Sequence, residues 1–146
     1  LEVREKRGLT YDIHSSVNHF HDTGSISVSF GVDPKKARYT VQAVLEELHR
    51  IKVDVSDEDL DRAKELAKGR LLLRMEDSRV VASWAGAQEL LYDQVVSVDE
   101  VVEKVEAVTI EDVERVAVRY LSPKKFNLAI VGPYRTDRQF QNLLRQ

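Results

Sequence analysis

Two runs of strict two-residue periodicity stand side by side early in the chain, and they constrain its fold more than any other feature. Tyr11, Ile13, Ser15 and Val17 alternate with Asp12, His14, Ser16 and Asn18. Ile26, Val28, Phe30 and Val32 alternate with Ser25, Ser27, Ser29 and Gly31. A side-chain period of two belongs to a strand, and the second run has one apolar face and one face of small residues. Asp22-Thr23-Gly24 lies between the runs and supplies turn chemistry, so the pair predicts an antiparallel hairpin.

Nearly everything after the hairpin reads at helical spacing. Pro34 suits a first helical position, and Val41, Val44, Leu45, Leu48 and Ile51 fall on one side of the helix that follows. Three Ser/Thr-x-x-Asp/Glu patterns mark three further helix starts: Ser56 with Asp59, Ser97 with Glu100, and Thr109 with Asp112. Leu60, Ala63, Ala67 and Leu71 give the first of these an apolar stripe and predict a long helix ending near Asp77-Ser78. Val80, Trp84, Ala87 and Leu91 predict another, with Trp84 in the core. Pro123 ends the last helix, and Phe126, Leu128 and Ile130 alternate before Gly132-Pro133, which predicts a third strand. Residues 1–7 favour a helix that ends at Gly8, and the tail after Tyr134 predicts one short helix.

Strands grouped rather than alternating with helices predict an α+β fold: an antiparallel sheet covered on one face by a layer of helices. The 146 residues make a single domain, 1–146. Three strands are few beneath so many helices, so sequence preceding Leu1 is expected to complete the sheet. With 22 Lys+Arg against 25 Asp+Glu the chain carries a formal net charge of −3 and no basic stripe, which argues against a nucleic-acid partner. No apolar run reaches the ~18 residues of a membrane span, no apolar leader opens the chain, and a soluble, cytoplasmic protein is favoured. The absence of Cys removes disulfides, thiolate metal sites and Cys nucleophiles.

Candidate chemistry is sparse. Neither HExxH nor HxxEH occurs among the four histidines, His14, His19, His21 and His49. His19, His21 and Asp22 cluster at a strand end and offer a weak metal-binding alternative to a plain solvated turn. His49 lies near a helix C-terminus, where a cation complements the dipole. No GxSxG elbow and no glycine-rich phosphate loop is present. The segment from Arg4 to Tyr11, REKRGLTY, differs from all of these. It places a guanidinium at a helix end, a glycine turn and a phenol at a strand start within eight residues, an arrangement able to aim a planar donor fork and a hydroxyl at one place, although a charged residue at a helix C-terminus is also an ordinary dipole complement.

At these residues the sequence resembles the insulinase/pitrilysin metallopeptidase family, the inverzincins, especially its processing-peptidase-like members. The matching text is VREKRGLTYDIHSS, HDTGSISVSFGVDPKK, the block from Val55 to Tyr92 that contains RAKELAKGRLLLRMEDSRVVASWAGAQELLY, and SVDEVVEKVEAVTIEDVERVAVRYLSPKKFNLAIVGP. These blocks run from Val3 to Pro133 in the family's order and look like its C-terminal domain, the one without zinc. The resemblance implies paired homologous domains that close into a chamber around an extended peptide. It maps the family's substrate-binding Arg/Tyr pair onto Arg4 and Tyr11, the first holding a substrate carbonyl and the second a carbonyl or developing oxyanion. It also implies no cofactor in this chain, zinc in a partner domain or subunit, a peptide substrate and a dimer. Alone, the chain is then inactive. The alternative is a non-enzymatic structural or assembly module of the same fold.

Overall fold

A computed structural model describes residues 2–144. The chain divides into two compact units, Leu1–Val53 with Val116–Gln146, and Asp54–Arg115.

The first unit opens with a π-helical turn, Glu2–Lys6, that stops where Gly8 takes a left-handed φ of 58°. Leu1, the first residue of the predicted N-terminal helix, lies outside the described residues. Strands β1 (Asp12–His19) and β2 (Gly24–Gly31) pair antiparallel in the predicted hairpin, with Asp12 opposite Gly31 and His19 opposite Gly24. Gly24 is required there, because a Cβ would meet the Asn18 carbonyl oxygen at 2.7 Å. One face carries a polar ladder, Ser16 to Ser27 at 2.9 Å and Asn18 Nδ2 to Ser25 Oγ at 3.1 Å. The other carries Ile13, Val17, Ile26, Val28 and Phe30.

Helix α1 (Ala37–Arg50) starts three residues after Pro34. The intervening turn is organised by Asp33, whose carboxylate accepts from the Lys35 N–H at 2.8 Å and whose carbonyl accepts from the Lys36 N–H at 2.8 Å. Ala37, Val41, Phe140 and Leu143 form the core of this unit, with Phe30, Val32, Leu45, Leu128 and Tyr134 packed against them. Phe140 and Tyr134 meet edge to face, ring centroids 5.2 Å apart.

In the second unit, α2 (Asp57–Arg74) and α3 (Ser78–Tyr92) are N-capped by Ser56 and Asp77, whose side chains accept from the Asp59 and Arg79 N–H groups. Helix α4 (Val98–Glu106) has a complete capping box between Ser97 and Glu100. Helix α5 (Ile110–Tyr120) follows Thr109, whose hydroxyl accepts from the Asp112 N–H while Asp112 accepts from the Thr109 N–H. The chain then passes a short 3₁₀ turn, Pro123–Lys125, and ends in α6 (Arg138–Gln141).

Three expectations change. Phe126 to Ile130 forms no strand: among the described residues it has no ladder partner, and Leu128 packs on the core instead. The described sheet therefore has two strands rather than three. Trp84 is half-buried rather than core, and α3 holds no buried residue. On α2 the half-buried positions are Leu60, Lys64, Lys68 and Leu71, with Ala63 and Ala67 exposed. Ion pairing explains that shift, because Lys64 Nζ donates to the Glu106 carbonyl at 2.8 Å and Lys68 pairs with the carboxylates of Glu65 and Glu106.

Candidate functional site

The Arg4–Tyr11 segment belongs wholly to the first unit. Arg4 sits in the last turn of the π-helical segment, exposed, and Tyr11 immediately precedes β1, 97% exposed. Both are exposed, and among the described residues neither side chain has a hydrogen-bond or ion-pair partner, which leaves their donors unengaged. Gly8 makes the reversal between them, and its left-handed φ is what lets so short a segment turn from helix to strand.

The residues flanking this pair are tied down. Val3 is buried, and Thr10 is only 5% exposed beside the almost fully exposed Tyr11. The Thr10 hydroxyl lies within hydrogen-bond reach of two carbonyls, Asp12 at 2.8 Å and Gly31 on β2. Arg7 reaches α1, where Nη1 donates to Glu46 Oε2 at 2.6 Å, Nη2 lies 3.6 Å from Glu47 and Nε lies 3.7 Å from Glu2. Backbone bonds close the segment on itself, Arg7 N–H to the Glu2 carbonyl at 3.0 Å and Leu9 N–H to the Val3 carbonyl at 3.1 Å.

The electrostatics follow from those pairs. The hydrogen bond from Arg7 holds the Glu46 carboxyl below its ordinary value, and the one from Lys6 does the same to Glu2. Sequence reasoning singled out Arg4 and Tyr11 and gave no sign of the contacts of Arg7 and Thr10. Their partners lie 39 and 21 residues away, and only the fold brings them together.

The metal-binding alternative does not assemble. His19, His21 and Asp22 are all exposed, and the described residues contain no group of three His, Asp or Glu side chains able to hold a metal ion. The described residues therefore assemble no set of zinc ligands. No described helix is long and apolar enough to cross a membrane.

Comparison with known proteins gives these observations a family. Residues 1–67 match the profile described as the Peptidase M16 inactive domain. An uncharacterized zinc protease of Mycobacterium tuberculosis is 32% identical over 99% of this chain and 33% of its own length. The beta subunit of the mitochondrial-processing peptidase of Mus musculus is 27% identical over 86% of this chain and 26% of its own. The chain thus spans about a third or less of these relatives. Among solved structures, a chain of Complex III2 from Candida albicans, Inz-5 bound, superposes with a TM-score of 0.77 at 21% identity, over 84% of this chain and 30% of that one. That likeness shows the mixed α+β fold. With the Arg4–Tyr11 segment inside the matched region and the similarity running on through nearly the whole chain, these findings support a C-terminal fragment of the M16 family, in agreement with the insulinase/pitrilysin resemblance.

Proposed function

We propose that this chain is the substrate-binding, non-zinc part of a zinc-dependent metalloendopeptidase that cleaves extended peptides, and that it is inactive by itself. The observation that carries this reading is that Arg4 and Tyr11, both exposed and without partners among the described residues, lie on one short segment that Val3, Arg7 and Thr10 anchor. An exposed guanidinium and phenol serve no internal packing. They suit a ligand rich in carbonyls, such as an extended peptide backbone. Arg4 holds a substrate carbonyl through its fork, and the Tyr11 hydroxyl donates to the carbonyl or to the oxyanion that develops on it. Zinc belongs to the partner domain or subunit, and the assembly is a dimer in which that partner faces this chain. The mouse relative is named as a subunit, which supports such a partnership, and the mycobacterial relative is named as a zinc protease.

The test is peptide cleavage by the full-length protein together with its zinc-binding partner, at matched zinc content. Tyr11→Phe should lower kcat by about 10²–10³, the usual effect of losing one such donor, and Arg4→Ala should chiefly raise KM. Cleavage indifferent to both substitutions overturns the reading and leaves the structural or assembly module.

A further inference from the structure

We propose that Arg7 and Thr10 are positioning residues that set where Arg4 and Tyr11 point, an inference that rests on the substrate-binding reading of that pair. The segment from Glu2 to Tyr11 is short, largely exposed and interrupted by a left-handed glycine. Its own backbone bonds, Arg7 to Glu2 and Leu9 to Val3, hold it together but do not attach it to anything else. Besides the buried Val3, attachment comes from two polar side chains. Arg7 crosses to α1, where its guanidinium meets Glu46 and Glu47 on adjacent positions of one helix. Thr10 is buried, and its hydroxyl spans from the Asp12 carbonyl at the start of β1 to the Gly31 carbonyl at the end of β2.

The two anchors divide the work by place. Arg7 lies three residues from Arg4 and fixes the helical end of the segment against α1. Thr10 directly precedes Tyr11 and fixes the strand end against the hairpin. Gly8 sits between them, and the Lys36 ammonium lies 3.5 Å from its carbonyl. A planar fork held on two carboxylates is a directional tether that a single ammonium does not reproduce. Neither anchor touches the ligand in this arrangement, so both act only through the pair they place. Because catalysis is sensitive to misplacement of about 1 Å, the expected effects are on kinetics far more than on folding.

The experiment measures kcat and KM for peptide cleavage by the full-length protein with its zinc-binding partner, alongside zinc content and thermal midpoint. Arg7→Gln and, independently, Glu46→Gln should each lower kcat/KM by about tenfold or more with zinc content unchanged. Thr10→Val should do the same, and Thr10→Ser, which keeps the hydroxyl, should restore activity. The deciding readout is a double-mutant cycle. If Arg7 acts through the pair, the factor lost on Arg7→Gln shrinks when Arg4→Ala or Tyr11→Phe is already present. An equal factor in all backgrounds means a general structural role and overturns the proposal. So does wild-type kcat/KM for both Arg7→Gln and Glu46→Gln while Arg4→Ala and Tyr11→Phe remain impaired. If Arg4→Ala and Tyr11→Phe are themselves silent, or no cleavage occurs, the substrate-binding reading falls and takes this one with it.

Discussion

Gly8 occupies backbone that other residues reach only at a cost. Its φ of 58° would cost an L-residue about 1–2 kcal/mol, yet nothing lies within 4 Å of where its Cβ would be. The effect of Gly8→Ala should therefore be a backbone effect alone: a lower urea midpoint at unchanged m-value, by about 1 kcal/mol. Gly8→Asn, which tolerates the left-handed region, should recover most of the loss. On the proposed substrate-binding reading, cleavage should suffer more than stability, because the same turn sets the geometry between Arg4 and Tyr11. At this scale the sequence was partly legible. A glycine between helical and strand-like text announces a turn, and an Arg and a Tyr around it announce donors. The anchoring of Thr10 to Gly31 is invisible in the sequence, since a threonine before a strand carries no sign of which carbonyl it will meet.

The helix starts were the most legible elements, because a cap is a local bargain between residues three apart. Ser97 and Glu100 satisfy each other's backbone N–H groups, at 3.2 and 2.7 Å, and the bond from the Ser97 backbone holds the Glu100 carboxyl below its ordinary value. Ser97→Ala should lower stability by about 1 kcal/mol in chemical denaturation and fray the first turn of α4, seen as faster amide exchange at Glu100 and Val101, whose N–H groups donate to the Ser97 hydroxyl and carbonyl. Elements that depend on distant partners were read less well. Phe126, Leu128 and Ile130 alternate as a strand does, but periodicity reports only which side is apolar. A strand also needs a ladder, and among the described residues β1 and β2 pair only with each other. On α2 the half-buried lysines were missed for a related reason. Lys64 and Lys68 reach Glu106, 42 and 38 residues on, and a charge that finds so remote a partner reads in the sequence as a solvated one.

The carboxylates that are shifted share a direction. Glu2, Glu46, Glu106 and Asp112 are held below their ordinary values chiefly by side-chain hydrogen bonds from Lys6, Arg7, Lys68 and Arg115 respectively. Groups whose folded values are depressed stabilise the fold fully above their unfolded values, near 4.5 for glutamate, and lose that contribution as pH falls through the folded ones. The urea midpoint should therefore stay level from neutral pH down to the unfolded carboxylate range and fall below it. Because these pairs lie at the surface, added salt should shrink the decline. A midpoint that rises on acidification would contradict this assignment. Lys68 is shifted upward by Glu106 and Glu65, so its share is present below 10.5 and is lost as pH rises through the raised value.

The distribution of burial has its own consequence. Every fully buried side chain among the described residues belongs to the first unit, while Leu66, Leu72, Leu73 and Leu90 stand exposed on the helices of the second. The chain exposes 11323 Å², where two independently folded units of these sizes would together expose about 9,200 Å². A helical unit that buries so little depends for its persistence on what covers it. Left uncovered, such helices open more often than the first unit and are where proteases cut first.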